Sequence, residues 1–447
     1  MARAKEDSNS TILVIFGIRG DLAHRYLLPS LVEIKKAGQL PKNFKLLGIS
    51  RSAIAAKDVF SAETLVLKAD TQFCQMDIGS PADYKILKQH LESIAKGFKS
   101  KPQIIFYFAV PPAAVLPITK MLGENGINGA NVKLLLEKPF GVDYQSAREL
   151  IDQTREYFSE EQVYRIDHYL AKETSQNIAV FLSSNALFRS VWNSQFIEYI
   201  EIVAAEKIGL EGRSQYYEQA GALRDFAQSH LLQLAALTLM EPCPDIFDFS
   251  ELPVRRLAAL KNLRPPQPDK FAEKVFRGQY KGYRQEAGNP HSMTETFVAI
   301  ELNSTDPRWQ GVPIYIATGK KLDQKLSQIR VSFKKSNVSE ANLLVIRIQP
   351  AEGIELDLWT KEPGYDGQKL QKKTLSFSLQ QDNQRLPDAY EQVLVDAIRG
   401  SHNLFASSDE VLASWQVLQP VLDYWSMGHG DLHIYKPGSS AEVVLGS

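Results

Sequence analysis

A chain of 447 residues with 52 acidic and 51 basic side chains is too long for one ordinary core and too evenly charged to coat nucleic acid or an anionic membrane. Only Cys74 and Cys243 are present, outside any paired metal or redox motif, which argues against a disulfide scaffold and fits a reducing cytoplasm. Residues 1–10 are polar and read as a flexible tail without a signal peptide's apolar stretch, and no apolar run reaches membrane-spanning length.

Thr11–Phe16 is a continuous apolar, β-branched run, the pattern of a central strand in a parallel sheet. It ends in Gly17-Ile18-Arg19-Gly20-Asp21-Leu22-Ala23, after which helical spacing continues to about Lys36. Strand, glycine turn and helix in that order suggest a dinucleotide site, although the spacing is G-x-x-G-x-x-A rather than G-x-G-x-x-G. Gly17, Arg19, Gly20, Asp21 and Leu22 are the candidate cofactor turn. A second strand, Lys45–Ile49, runs into Ser50-Arg51-Ser52. An NAD site would place an acid near here for the ribose 2′-hydroxyl; an arginine between two serines suits a 2′-phosphate, and so NADP. Strands at Phe73–Ile78, Gln103–Val110 and Val132–Leu136, with a helix at Pro81–Ala95 and another before Val132, complete a doubly wound α/β domain. Lys138 follows the last of these strands, where ligands of such sheets bind.

A short strand, Val163–Ile166, leads into Asp167-His168-Tyr169-Leu170-Ala171-Lys172. Helical spacing places His168 and Lys172 on one side of a helix, in its first turn, where unpaired N–H groups and the macrodipole favour an anion. That would seat a phosphate monoester, with Asp167 pointing to a different partner. Beyond Lys172 the texture changes. Phe196–Ala204 alternates like a strand, and Gly221–Met240 reads as a helix with Phe226, His230 and Leu234 on its apolar face. Strands at Thr296–Leu302, Ile314–Ala317, Ile329–Phe333, Leu343–Ile348 and Ile354–Trp359 are separated by turns, which predicts a large, mainly antiparallel sheet in an α+β domain. Helices return at Ala389–Arg399 and Ser408–Trp425, and Pro265–Pro268 reads as a loop. The domains expected are 11–167 for the dinucleotide and 168–447 for substrate and oligomerisation.

Nearly the whole chain resembles the glucose-6-phosphate dehydrogenase family. The resemblance rests on GIRGDLAHRYLLPSL (Gly17–Leu31), LEKPFG (Leu136–Gly141), RIDHYLAKE (Arg165–Glu173), YYEQAGALRDFAQSHLLQ (Tyr216–Gln233) and RGQY (Arg277–Tyr280). TETFVAIEL, GVPIYIATGKKL, RIQPAEGI and DAYEQVLVDAIRG continue the series in the family's order. It implies a Rossmann-like N-terminal domain, an α+β C-terminal domain on a large, mainly antiparallel sheet, and a homodimer or homotetramer formed through that sheet. It also implies oxidation of β-D-glucose 6-phosphate at C1 to 6-phospho-D-glucono-1,5-lactone with hydride transfer to NADP+, the first step of the oxidative pentose phosphate pathway. By the resemblance, His230 is the general base and Asp167 the carboxylate that orients it. His168, Tyr169 and Lys172 match the phosphate-binding cluster, and Lys320 and Lys325 match two further basic positions. Glu206, Asp225 and Gln349 match groups that hydrogen-bond sugar hydroxyls, while Lys138 bridges the cofactor and substrate regions. No metal ligand set is implied.

The chain departs from the family at three places. Ile18 and Arg19 stand where alanine and a small hydroxyl residue are usual, and His24 where a lysine is. The loop after Tyr280 is shortened to KGYRQEAG. Leu326 replaces a basic residue of members that hold an extra structural NADP, so no second nucleotide site is expected. The rival readings are a dehydrogenase of another hexose 6-phosphate and a non-catalytic NADPH-binding relative or assembly partner. The second would be favoured by loss of Asp167, Lys172 or His230, and all three are present.

Overall fold

The computed structural model describes residues 10–244, 249–336, 340–365, 369–380 and 385–445. All but one residue of the 1–10 tail therefore lie outside the described residues. Thr11–Phe16 is buried at every position and sits inside a seven-stranded sheet, at the middle of its parallel strands. Its neighbours are Phe44–Ser50 and then Thr71–Gln75 on one side, and Gln103–Phe108, Val132–Leu136 and Val163–Ile166 on the other, all parallel. Phe405–Ala406 adds a short antiparallel edge against Val163–Ile166. Sequence order thus reverses at the central strand, the topology of a doubly wound dinucleotide-binding sheet. The central strand is apolar throughout because both of its faces are covered. Leu13 and Ile15 join the core layer shared with the helices Leu28–Lys36 and Ala389–Arg399, whereas Ile12, Val14 and Phe16 join the layer under Pro81–Ala95 and Val115–Glu124.

This sheet and its helices form one compact unit, Met1–Gly141, Gln145–Ala171 and Pro387–Ser408. The last segment is distant in sequence. Its helix is capped at the start by the Asp388 carboxylate, which accepts the Tyr390 N–H at 2.9 Å, and ends in Gly400 with φ 78°. The Lys133 ammonium donates to the Ala397 carbonyl in the last turn of that helix at 2.7 Å, a cation at the negative helix end.

The second unit, Val142–Tyr144, Lys172–Leu386 and Asp409–Ser447, is built on one large sheet. Along the sheet the strands are Leu370–Ser378, Gly353–Lys361, Leu343–Gln349, Leu326–Phe333, Ile197–Ala205, Ile314–Gly319, Phe297–Ser304, Val275–Tyr280 and Leu432–Tyr435. Two neighbour pairs are parallel, Ile197–Ala205 with Ile314–Gly319 and Val275–Tyr280 with Leu432–Tyr435; the rest are antiparallel. The middle strands alternate buried and half-buried positions, so one face is covered and the other carries polar groups such as the Arg330–Glu201 ion pair at 3.3 Å.

The expected elements are recovered with local differences. The third strand runs Thr71–Gln75 instead of Phe73–Ile78, since pairing ends where the Met76 N–H donates to Ser50. The helix expected at Gly221–Met240 begins only at Leu223, because Gly221 adopts φ 63° and breaks the chain there. Five strands went unread: Val275–Tyr280, Leu370–Ser378, Leu432–Tyr435 and the two-residue Leu263–Arg264 and Phe405–Ala406. The second is exposed at nearly every position, so it lacks the alternation that marks a half-buried strand. Among the described residues no helix is long and apolar enough to cross a membrane.

Burial lowers the Lys133 ammonium from its ordinary 10.5 to about 8. The folded state then binds fewer protons than the unfolded chain between those values, so this group's penalty fades as pH rises through that window. Unfolding curves should show the parent gaining on the order of 2–3 kcal/mol relative to Lys133→Met from pH 8 to 10.5. A difference between the two that stays flat with pH would exclude a buried, charge-penalised lysine.

Candidate active site

The glycine turn is held against the sheet end. Gly17 has φ 83°, and a Cβ there would stand 2.2 Å from the Ala109 carbonyl oxygen, so only glycine allows the approach. The Gly17 and Ile18 N–H groups donate to Ile49 at 3.1 and 3.2 Å, and the Gly20 N–H donates to the Gly17 carbonyl at 2.8 Å. In front of the turn lies a cavity of about 600 Å³ bounded by the ends of the first four strands. Gly17, Arg19, Gly20, Ser50 and Arg51 of the sequence-derived set line it. Ser52, the second serine expected beside Arg51, lines it too, as does Asp77, which the sequence did not single out. A dinucleotide fits this place: glycine lets a ligand approach the turn closely, and the crevice lies at the switch point of the strand order.

Three of the proposed cofactor residues are elsewhere. Asp21 is exposed and ion-pairs with Arg25 at 3.3 Å. Leu22 packs against the core beside the turn. Lys138 follows Val132–Leu136 outside the cavity lining and precedes Pro139 through a cis peptide bond. His24 is exposed and also outside that lining.

The Asp167–Lys172 stretch corrects the sequence reading. Residues 168–171 form a turn rather than the start of a helix. The Asp167 carboxylate accepts the Tyr169 N–H at 2.9 Å and its carbonyl accepts the Leu170 N–H at 3.1 Å, so the aspartate closes a turn in competition with helix formation. His168 and Lys172 are therefore not one helical turn apart. Lys172 is extended, with ψ 141°, and the helix is Glu173–Ser184. One N–H of its first turn is already bound within the chain: Glu352 accepts from the Thr174 N–H at 3.0 Å and from the Thr174 hydroxyl at 2.5 Å. The Glu173 carboxyl beside this cap is raised, first by burial and then by Glu352. His168 keeps a feature that suits a ligand. Its Nε2 is buried without a hydrogen-bond partner, 3.7 Å from Glu137, while the ring tilts against Tyr390 at 4.4 Å between centroids.

In the second unit, Glu206 follows Ile197–Ala205 and Lys320 follows the parallel neighbour Ile314–Gly319, so the two residues emerge side by side. They pair at 2.5 Å, with the lysine buried. Below the ammonium, 5.0 Å away, lies the ring of Tyr217, whose phenol is raised well above its ordinary value by burial and then by Asp225. Asp225 is bound by the Tyr216 hydroxyl at 3.2 Å. Asp225 and His230 share Leu223–Leu231, a wide-turned segment with i→i+5 spacing that packs onto Ile314–Gly319. Such segments recur at functional sites. His230 is buried, with the Phe226 ring edge-on at 5.0 Å. The structure thus brings Glu206, Lys320 and Asp225 together around Tyr217. Gln349 ends a strand two places from Ile197–Ala205 and donates to Ser327 at 3.0 Å. Lys325 is exposed in the turn before Leu326–Phe333.

Sequence reasoning missed Tyr216, Tyr217 and Glu295, although all three lie in the motifs YYEQAG and TETFVAIEL. Glu295 is buried, and its carboxylate accepts the Leu223 N–H at 3.0 Å, the first donor of the helix that carries Asp225 and His230. Burial raises its carboxyl.

A glycine turn pressed against a parallel sheet at its switch point is how dinucleotide-dependent dehydrogenases receive a pyrophosphate, and this chain is of that class. Two family models divide its length: the glucose-6-phosphate dehydrogenase NAD binding domain matches residues 14–177, and the C-terminal domain of the same family matches 179–443. The chain belongs to the glucose-6-phosphate dehydrogenase family. It is 36% identical to glucose-6-phosphate 1-dehydrogenase of Dickeya dadantii, over 97% of this chain and 94% of the relative. The Bacillus subtilis enzyme of that name is 34% identical, over 96% and 94%. Among solved structures, a glucose-6-phosphate dehydrogenase in complex with its substrate glucose-6-phosphate superposes with a TM-score of 0.90 at 31% identity, covering 97% of this chain and 95% of that one. The cofactor is a nicotinamide dinucleotide.

Gly221 tests how the His230 helix is set. A Cβ at this left-handed position would lie 2.3 Å from the Glu295 Oε1. Gly221→Ala should lower stability by about 2 kcal/mol or more in denaturant unfolding, and Glu295→Ala in the same chain should recover part of the loss. Strict additivity of the two changes would show that they do not meet.

Proposed function

We propose that the protein oxidises β-D-glucose 6-phosphate at C1 to 6-phospho-D-glucono-1,5-lactone with NADP+. The observation that carries this reading is the end-to-end likeness to a glucose-6-phosphate dehydrogenase bound to its substrate. His230 takes the C1 hydroxyl proton, and Asp167 orients its ring and stabilises the charged form. A nicotinamide dinucleotide held at the glycine turn would supply the hydride acceptor for C1, and the deprotonated C1 oxygen would become the lactone carbonyl. His168, Tyr169 and Lys172 hold the sugar phosphate, with Lys320 and Lys325 as further cations. Glu206, Asp225 and Gln349 receive the sugar hydroxyls, and Lys138 serves cofactor and substrate together. The unsatisfied Nε2 of His168 and the fixed Lys320–Glu206 pair support these roles, since a phosphate oxygen would satisfy the first and the second is already in place.

NADP is preferred over NAD in this reading because Ser50, Arg51 and Ser52 stand where an NAD site would carry an acid. We further infer a cytoplasmic homodimer or homotetramer that uses the polar face of the large sheet, with neither nucleic acid nor membrane as partner. The presence of Asp167, Lys172 and His230 argues against a non-catalytic relative.

Initial rates of NADP and NAD reduction with glucose 6-phosphate test the assignment. The parent should be active, with NADP the better acceptor, and His230→Asn should lose about a hundredfold to ten-thousandfold in kcat while substrate still binds. An inactive parent with both acceptors would overturn the reading in favour of another sugar phosphate or the non-catalytic relative.

A further inference from the structure

Two guanidinium groups line the cavity of the dinucleotide-binding unit. Arg51 follows the second strand, at the place where such sites read the adenosine ribose. Arg19 belongs to the glycine turn, and its Nη1 donates to the Ser52 Oγ at 2.7 Å. That hydrogen bond directs the side chain away from its own turn and towards the loop that carries Arg51. Ser52 is accepting from Arg19, so its own O–H remains available to donate to an anion. One acid lines the cavity, Asp77, and its Oδ1 already accepts the Gly79 N–H at 2.9 Å.

We propose that Arg19, steadied by Ser52, acts with Arg51 as a two-cation clamp on the 2′-phosphate of the dinucleotide, so that Arg19 is a specificity-determining residue of this chain. The proposal deepens the NADP reading above and rests on it. A phosphate monoester offers three acceptor oxygens and close to two negative charges. One guanidinium fork satisfies two oxygens, and a second cation with a hydroxyl completes the set. A small hydroxyl residue at position 19, usual in the family, could supply a hydrogen bond but no charge. NAD, ending in a 2′-hydroxyl, gives the clamp little to hold, so the second arginine widens discrimination without touching the reacting ring.

Calorimetric titration of the full chain with adenosine 2′,5′-bisphosphate and with AMP reads the clamp apart from catalysis. The parent should bind the bisphosphate more tightly than AMP. Arg19→Thr should weaken the bisphosphate by about tenfold to a hundredfold while AMP affinity stays within about twofold. Ser52→Ala should weaken the same ligand by a smaller factor, since the cation remains. The ratio of kcat/KM for NADP over NAD should fall in step. Equal weakening of both ligands by Arg19→Thr would place the arginine at the pyrophosphate, and no weakening of either would leave it a solvated side chain; each overturns the clamp while leaving the NADP reading intact. A parent that does not favour the bisphosphate over AMP would overturn both.

Discussion

Everything on the dinucleotide-binding unit depends on one close approach, that of the Gly17 backbone to the Ala109 carbonyl. The contact leaves no room for a Cβ. Through it the first strand passes into its turn while remaining against the end of the fourth, and the crevice at the switch point stays open. The burial of Thr11–Phe16 on both faces fixes where that strand ends, and hence where the turn stands. Arg19, Arg51 and the two flanking serines are then placed by strand length alone. Tolerance for side-chain variety at Arg19 follows from the same geometry: the glycines carry the backbone constraint, so the residue between them is left to tune the ligand.

A comparable device sets the second unit. The Gly221 backbone turns where Glu295 stands, and the Glu295 carboxylate takes the first N–H of the wide-turned helix. An acid at a helix N-terminus is favourable there. It also indexes the helix, because the residue accepting that hydrogen bond determines which positions face the strand ends. Asp225 and His230 are both read off this start. The Glu206–Lys320 pair is indexed differently, by the parallel register of two neighbouring strands, which delivers both side chains at the same level. Tyr217 lies between these two systems, its ring under the lysine and its phenol raised by burial and then by Asp225.

The strand–turn–helix grammar of the first unit was legible because apolar runs, glycines and caps act over a few residues. Thr11–Phe16, Pro81–Ala95, Val132–Leu136 and Ala389–Arg399 end where local chemistry says they should. What local pattern does not carry is competition from afar. His168 and Lys172 have helical spacing, yet Asp167 spends its carboxylate on the Tyr169 N–H and keeps the chain in a turn. The anion expected at the next helix start is supplied by Glu352, far along the chain. Likewise the helix expected from Gly221 is delayed by a glutamate in another motif, and Leu370–Ser378 is a strand through pairing with its neighbour rather than through burial. The motifs named candidate residues, but long-range contacts decided their backbone.

Near-neutral overall charge and a phosphorylated substrate pose an apparent conflict, which the structure resolves by local pairing. Lys320 is buried beside Glu206 rather than isolated, and so needs no surrounding field of positive charge to be tolerated. Arg19 is steadied by a neutral hydroxyl, leaving its charge uncompensated within the cavity. The two settings suit different demands. A lysine neutralised in advance would position an anion without strong attraction for competitors, whereas an uncompensated guanidinium gains most from a dianion. On the proposed reading, discrimination falls to the cofactor side, where the competing ligands differ by a full phosphate, and geometry to the substrate side, where sugar phosphates differ by the placement of a hydroxyl.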